Sequence, residues 1–345
     1  MTKLQSTEAD PHWPLPLPWQ LPVAREALAA RASWPHAILL DGPRGIGKRT
    51  LASNFARALL CETPGVDGFA CGTCASCHYV VAGQHPDLQM IEPFVFDEDG
   101  EVKAQDPIPV DRIRALIEWV QLTSHRGRAK VAVIVPAESM NPAAANALLK
   151  TLEEPPPSTY LILVTHQPGR VPATLRSRCR RMPAPRPTTA DAETWLAQQG
   201  VPEPGFALAQ AGGAPIAALA LAGAEWQAER TLWMLAFARP EALSPVSLAA
   251  RIEAAPKDQR RERLGQVIDW LLAWTADLSR VAAGGVPLRN TDFSAAFGPL
   301  ANAVAPVPLF RYHRTLLRQR AWIAHPLQPR LVAEAMLIGY RELFR

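Results

Sequence analysis

The first half of the chain alternates short apolar runs with segments whose apolar residues recur at helical spacing. Ala37 to Leu40, Lys130 to Val135 and Tyr160 to Thr165 are mostly apolar runs, typical of parallel strands buried on both faces. Asp87 to Ile91 is a further candidate strand, and Val110 to Leu122 carries its apolar residues on one helical face. This alternation of strands and helices predicts a doubly wound α/β domain with a parallel sheet.

The pattern changes in the second half of the chain. From Ala190 onward there is no convincing strand, and alanine, leucine and arginine dominate segments of helical periodicity. The proline-rich stretch Arg181 to Pro187 predicts a connection between domains. We therefore expect an α/β domain over 1–181, a small helical domain over 182–222 and an all-α domain over 223–345.

The tryptophans of the second half are expected in cores or helix interfaces, where large aromatic rings bury the most apolar surface. A role in stacking on nucleic-acid bases is the alternative. These residues are Trp226, Trp233, Trp270, Trp274 and Trp322.

Composition excludes several classes of protein. Hydrophobic residues make up 48% of the 345 residues and charged residues 20%, which excludes a disordered chain. The net charge of +4 is well below that of a basic nucleic-acid coat. No apolar run is long enough to span a membrane, and Met1 to Asp10 lacks the apolar centre of a signal peptide. We expect a cytoplasmic protein without a membrane partner.

A nearly complete phosphate-binding loop follows the first strand. Its residues fit the spacing G-x-x-x-x-G-K, and the candidate phosphate contacts are Gly42, Gly45, Gly47 and Lys48. Glycines let backbone N–H groups converge on a phosphate, and the lysine reaches its outer oxygens. Arg49 stands where a Ser or Thr normally binds Mg²⁺.

A second element of a magnesium site is also absent. An ATPase needs an acidic residue at the end of a neighbouring strand, and Val135 and Pro136 occupy that position. Glu138 lies too far along the chain to be taken as its equivalent. The two losses argue against ATP hydrolysis. Binding of ATP or ADP stays open, and the alternative is a glycine turn without a ligand.

Four cysteines follow the phosphate loop within the segment 61–78. Cys61, Cys71, Cys74 and Cys77 have the spacing C-x9-C-x2-C-x2-C, and four thiolates complete the tetrahedral coordination of Zn²⁺. The pattern predicts a structural zinc site, with an iron–sulfur cluster as the alternative. His78 is expected outside the coordination sphere.

Further motifs resemble the AAA+ subunits of the bacterial DNA polymerase III clamp loader. Asn146 to Pro156, Ser177 to Cys179 and His85 to Asp87 are similar to motifs of that family, and the cysteine cluster stands where the family carries its zinc module. The resemblance extends over about residues 20 to 220. It implies an AAA+ P-loop domain, a helical lid over 182–222 and a collar that assembles the subunits over 223–345.

Within this family the chain resembles the non-hydrolysing subunit. Ile216 occupies the position of the nucleotide-sensing arginine, and Thr165 matches a first sensor without a metal site beside it. The resemblance implies that Arg178 acts as an arginine finger in trans on ATP held by a neighbouring subunit. Composition alone favours a local ion pair for Arg178.

The implied assembly is a hetero-oligomeric ring. Its partners would be the motor (gamma/tau) and delta subunits, with the sliding clamp and primer-template DNA reached through the complex. The chain would lack intrinsic ATPase activity and belong to the DNA polymerase III holoenzyme, a DNA-directed DNA polymerase. The alternatives are an active motor ATPase and a zinc-dependent DNA-binding module.

Overall fold

The computed structural model describes residues 15–96, 102–104, 107–323 and 328–345, so the predicted lack of a signal peptide at Met1 to Asp10 falls outside the described residues. The chain divides into two compact units after Asp191. In chain order, the first unit contains α1 (Leu21–Ala29), β1 (Ala37–Asp41), α2 (Lys48–Leu60), α3 (Ala75–Val81), β2 (Leu88–Ile91), β3 (Phe94–Phe96), β4 (Val102–Ala104), α4 (Val110–Gln121), β5 (Lys130–Ile134), α5 (Pro142–Glu153), β6 (Thr159–Thr165), α6 (Ala173–Arg176) and β7 (Arg180–Pro183).

A five-stranded sheet organises the first unit. Its strand order is β2-β5-β6-β1-β7, and every neighbouring pair is parallel. The carboxyl ends of parallel strands meet at one edge of the sheet, which is where such folds bind their ligands. Strands β3 and β4 form a separate antiparallel hairpin that the sequence did not predict.

Both faces of the sheet are covered, as the continuous apolar runs predict. Ile38 and Leu40 of β1 belong to the core that includes α2, whereas Leu39 belongs to the core that includes α4 and α5. All three side chains are at most 2% exposed. Burial on both faces explains why the strand lacks the alternation of an antiparallel strand with one wet face.

The structure corrects the interpretation of Arg181 to Pro187 as a plain connection. Arg180–Pro183 forms the edge strand β7, which pairs with β1 alone. Proline is tolerated there because an edge strand has one side that needs no donor. The predicted break after residue 181 falls inside this strand, and the first unit continues to Asp191. The division into three domains stays a prediction.

In the described residues of the second unit, all regular secondary structure is helical. They are α7 (Thr189–Gln198, which begins before the division), α8 (Pro204–Gln210), α9 (Pro215–Leu221), α10 (Ala224–Phe237), α11 (Pro245–Glu253), α12 (Arg260–Ala282), α13 (Ser294–Ala303), α14 (Pro306–Ala321) and α15 (Pro329–Glu342). One apolar cluster joins α7 to α9, and a larger one joins α10 to α15. The predicted fold class, an α/β domain with a parallel sheet followed by helices, is confirmed.

The tryptophans of this unit divide into two groups. Trp233, Trp270 and Trp274 lie in the larger core and Trp226 packs against it, as predicted. The prediction is wrong for Trp322, which is 57% exposed just after α14.

None of the described helices is, by itself, long and apolar enough to cross a membrane. Two sharply bent helix pairs meet the criteria of length and composition only when their members are joined.

Candidate functional site

The phosphate loop joins the carboxyl end of β1 to the start of α2. Gly45 and Gly47 have φ angles of +80° and +87°, in the left-handed region that glycine adopts without strain. At Gly42, a Cβ atom would lie 3.1 Å from Cδ1 of Ile46. The predicted glycines therefore make the sharp strand-to-helix turn that a phosphate loop requires.

A turn of 3₁₀ helix just before α1 braces this loop, a contact that the sequence did not predict. Trp19 Nε1 donates to the carbonyl oxygen of Ile46 at 3.1 Å. Gln20 Nε2 donates to the carbonyl oxygens of Ile46 and Gly47 at 3.2 and 2.8 Å. Leu17 lies so close that a Cβ on Gly47 would be 2.2 Å from its Cδ1 atom. The loop conformation is thus fixed by side chains that precede the first strand.

Lys48 is satisfied by its own loop. Its Nζ atom donates to the carbonyl oxygens of Gly42 and Pro43 at 2.8 and 2.5 Å, and the residue is 2% exposed. Burial lowers the pKa of Lys48 to about 8, while the charges of Glu138 and Asp41 act in the opposite direction. The lysine is in place for a phosphate, but a phosphate would have to draw it from these carbonyl oxygens.

Arg49 is engaged away from the metal position. Its Nε and Nη2 atoms donate to the two carboxylate oxygens of Glu92 at 2.8 and 2.9 Å. Glu92 directly follows β2, at the same edge of the sheet. This hydrogen-bonded pair raises the pKa of Arg49. A fixed cation therefore replaces the hydroxyl that would hold Mg²⁺.

The structure does bring one carboxylate towards the loop. Glu138 Oε1 accepts a hydrogen bond from the backbone N–H of His166 at 2.9 Å, and its charge acts on Lys48. Within the described residues, no donor reaches the buried Oε2 atom of Glu138. Burial, followed by the charge of Lys48, lowers the pKa of His166 to about 4, so the imidazole is neutral. Sequence spacing did not predict this group of three side chains.

The second acidic position remains without a carboxylate. Val135, at the end of β5, is 6% exposed and packs in the apolar core. Thr165 is fully buried, and its hydroxyl accepts the N–H of Gln167 at 3.1 Å. Ile216 lies in the first turn of α9. The edge of the sheet thus holds the phosphate-binding parts, but no carboxylate follows β5 directly, and Arg49 occupies the position of the metal-binding hydroxyl.

The four predicted cysteines converge on one point. Their Sγ atoms all lie within 4.8 Å of one another, and those of Cys71 and Cys74 lie 3.5 and 3.9 Å from that of Cys61. A tetrahedral ion with metal–sulfur bonds of about 2.3 Å requires sulfur–sulfur distances of about 3.8 Å. The group consists of these four cysteines and does not include His78.

The donor set fits one thiolate-bound ion. Cys71 Sγ accepts from Thr63 Oγ1 at 3.3 Å and from the N–H groups of Thr73 and Cys74 at 3.4 and 3.3 Å. These hydrogen bonds, that from Thr63 first, lower the pKa of Cys71 to about 5, whereas burial raises the pKa of Cys77 to about 12. A metal ion supplies the charge that would keep a buried thiol deprotonated. A multi-iron cluster needs thiolates spread over several metal atoms, which this spacing does not favour.

The cysteine module is tied to the sheet by carboxylates. Glu62 accepts from Ser76 Oγ at 2.9 Å and from Arg126 Nη2 at 2.6 Å. Asp87, from the His-Pro-Asp motif, accepts from Ser124 Oγ and the N–H of Arg126, both at 3.0 Å. The motif therefore fixes the loop between α4 and β5 against the module, a structural role that its sequence did not predict.

Arg178 forms the local ion pair that composition favours. Its Nε atom donates to Glu153 Oε1 at 2.6 Å, and Nη1 donates to the carbonyl oxygen of Thr174 at 2.9 Å. The side chain is 32% exposed and that of Glu153 is 49% exposed. Cys179, the next residue, is buried in the core, which raises its pKa to about 11. The motif thus anchors its cysteine in the core and keeps its arginine accessible to solvent.

Comparison with known proteins identifies the family. A family model described as "DNA polymerase III, delta subunit" matches residues 25–187. A DNA polymerase III subunit delta' of Pseudomonas aeruginosa is 38% identical over 336 residues, which cover 94% of this chain and 97% of that protein. The subunit delta' of Escherichia coli K12 is 34% identical over 297 residues, 84% of each chain.

Other similarities cover a smaller part of the chain or have a lower sequence identity. A DNA polymerase III subunit tau of Escherichia coli K12 is 38% identical over 144 residues, 42% of this chain and 20% of that protein. A solved structure of a DNA polymerase III gamma subunit-related protein of Thermotoga maritima covers 94% of this chain and all of its own, at 17% identity and a TM-score of 0.44. That likeness is too low to support a conclusion. The full-length similarities suffice: the chain belongs to the family of DNA polymerase III delta' subunits.

Proposed function

We propose that this chain is a non-hydrolysing subunit of a DNA polymerase III clamp loader. It would assist ATP-dependent loading of the sliding clamp onto primer-template DNA, in a ring with motor (gamma/tau) and delta subunits, in the cytoplasm. The observation that carries the proposal is the pair between Arg49 and Glu92. It puts a guanidinium where hydrolysis needs a metal-binding hydroxyl, while the arginine of the Ser-Arg-Cys motif stays partly exposed.

We further propose that Arg178 acts on ATP bound by a neighbouring subunit. A permanently charged guanidinium stabilises the negative charge that develops on a transferring phosphoryl group. The pair with Glu153 is half-exposed, and such pairs are typically worth at most about 1 kcal/mol. The triphosphate of a docked neighbour would therefore compete readily with Glu153 for this arginine. Glu153 would hold Arg178 until the ring forms.

The test uses the reconstituted clamp loader. Arg178→Ala is expected to lower clamp- and DNA-stimulated ATP turnover by the share of the one site that Arg178 serves, since arginine fingers contribute about 10³ to 10⁵ at a single site while the other sites in the ring continue to turn over. Arg180→Ala is the matched control, because this exposed arginine lies two residues away in β7. Glu153→Gln is expected to leave turnover unchanged or raise it. Equal turnover in the Arg178→Ala and Arg180→Ala complexes would exclude the finger role.

One observation favours a second function, an active ATPase. Glu138 acts electrostatically on Lys48 and has an oxygen without a partner among the described residues. That carboxylate could position a water molecule if a nucleotide occupied the loop. The purified chain would then release phosphate from Mg-ATP faster than its Lys48→Ala variant. Equal rates, with ATP or ADP bound by the unaltered chain, would leave nucleotide binding as the only role of the loop.

We also propose that the four cysteines hold a structural zinc ion. The convergence of the Sγ atoms supports a single tetrahedral ion, and zinc is the metal that such closed thiolate sites most often hold. Elemental analysis of freshly purified protein should give one zinc per chain, lost in Cys74→Ser. One iron per chain in place of zinc would reject the assignment.

A further inference from the structure

A cavity of about 200 Å³ lies in the first unit, apart from the phosphate loop and the cysteine cluster. It is lined by Leu39 of β1, Pro168 and Gly169 of the turn after β6, Arg176 at the end of α6 and Arg181 of β7. Two guanidinium groups therefore share one concavity with an apolar floor. Neither residue is assigned a role by the motifs described above.

Arg181 is only partly engaged. Its Nε and Nη2 atoms donate to the carboxylate of Asp41 at 3.0 and 2.7 Å, and the Asp41 side chain is 7% exposed. This pair leaves the two N–H groups of Nη1 outside the Asp41 contact. The positive charge of Arg181 is balanced by Asp41, so the second guanidinium decides the net charge of the cavity.

Arg176 supplies that second charge. Across the described ranges of the chain, no carboxylate forms an ion pair with Arg176 and no hydrogen bond engages its side chain. None of its five N–H groups is taken up by a described residue, which leaves them available to a ligand. With Arg176, Arg181 and Asp41 taken together, the cavity carries a net charge of about +1.

We propose that this cavity binds a phosphate group, held by Arg176 and by Nη1 of Arg181. A tetrahedral phosphate offers oxygens in several directions and can accept from two separate guanidinium groups, whereas one guanidinium fork already fills both oxygens of a carboxylate. A volume below the usual 300–1,000 Å³ of a small-molecule site fits one phosphate group rather than a whole nucleotide.

The proposal does not depend on the proposed function. The lining residues are distinct from the loop glycines and Lys48, and Arg178 is not among them. A phosphate bound here could be free in solution or belong to a nucleotide whose remainder stays outside the cavity. The phosphate loop is the competing site in the same unit, so the experiment has to separate the two.

Calorimetric titration of the full-length chain with inorganic phosphate tests the site. Saturable binding is expected, weakened about tenfold or more by Arg176→Gln, because this change removes charged hydrogen bonds. Arg170→Gln is the matched control: Arg170 is an exposed arginine of the same 3₁₀ turn as Pro168 and does not line the cavity. Lys48→Ala controls for binding at the phosphate loop. Arg170→Gln should change the affinity by no more than twofold.

The outcomes separate cleanly. Loss of binding in Arg176→Gln alone supports the site. Loss in Lys48→Ala with retention in Arg176→Gln assigns the phosphate to the loop and overturns the proposal, as does the absence of saturable binding. A parallel titration with ADP identifies the source: tighter binding than phosphate that still depends on Arg176 shows that the phosphate arrives on a nucleotide, and equal affinity shows that the free ion suffices.

Discussion

The phosphate loop and the cysteine cluster are neighbours in sequence, yet their ligand groups are in opposite states. The four Sγ atoms converge on one another, and the hydrogen bonds that Cys71 Sγ accepts come from Thr63 and Thr73 of the same segment. In the loop, Lys48 is bonded to the loop's own carbonyl oxygens and Arg49 to Glu92. The cations of the loop are thus paired without a ligand, whereas the four sulfur atoms lie where the proposed zinc ion would require them.

This difference shows that a phosphate-binding motif can also serve as a purely structural turn. A loop whose cationic groups have found partners within the fold contributes to stability as a strand-to-helix turn. Hydrogen bonds stabilise the thiolate of Cys71, but four converging thiolates repel one another, and a bound metal ion would offset that repulsion. We therefore expect mutations in the cluster to act through a lost ligand, and mutations in the loop to act through packing.

The largest effect is expected for Cys74→Ser. Structural zinc contributes about 10–16 kcal/mol in small zinc domains, so loss of one ligand should unfold the module over 61–78 and lower the melting temperature. Chelator treatment of the unaltered chain should reproduce the shift. Cys179→Ala is the control: it removes a buried thiol from the core, should cost about 1 kcal/mol, and should keep the metal. A melting temperature unaffected by chelator would contradict the contrast drawn between the two sites.

The second-largest effect is expected for Gly47→Ala, which should lower the free energy of unfolding by about 3–4 kcal/mol. The φ of +87° strains any side chain, and the new Cβ would meet Leu17 at 2.2 Å, so strain and overpacking both contribute. Gly83→Ala measures the effect of backbone strain without a steric clash, because Gly83 has a φ of +69° and open space around it. Urea unfolding of both variants measures the difference. Equal losses would mean that the turn containing Trp19 and Gln20 does not brace the loop.

Lys48 should make stability depend on pH. Because burial lowers its pKa to about 8 in the folded state, the unfolded chain binds more protons between this pH and about 10.5. The free energy of unfolding should therefore rise across that window, by up to about 3 kcal/mol from this residue. Lys48→Met should remove this part of the slope, and the same change at the exposed Lys150 should not. Parallel slopes for the two variants in urea titrations would show that Lys48 titrates normally.

Sequence predicted the parts of these sites that lie close together in the chain. The four cysteines span 17 residues and bring a full ligand set, so spacing alone indicated the candidate site. The glycine loop was found in the same way. Glu92, Glu138 and His166 reach the loop region from three different strand ends, and only the assembled sheet brings them there.

The same limit explains the errors elsewhere in the fold. Three prolines among residues 181–187 indicate a loop, yet the backbone of Arg180–Pro183 pairs with β1 because a sheet edge tolerates missing donors. In the second unit, Arg230 is 2% exposed and is held by Asp292 and Asn290, some sixty residues away. A charge pattern along the chain gives no sign of such a buried pair.

The smallest effect on stability is expected for Arg49→Ser, which restores the hydroxyl of the motif. Arg49 is largely exposed, so the loss of its pair with Glu92 should cost about 0.2–1 kcal/mol. The chain should still release no phosphate from Mg-ATP above the Arg49→Ala control. The reason is that Val135 and Pro136 supply no carboxylate for the metal, and Lys48 stays bonded to its own loop. Turnover in Arg49→Ser alone would instead mean that Glu138 completes a metal site. Arg49 would then be the single residue that keeps the loop, unlike the cysteine cluster, from holding a metal ion.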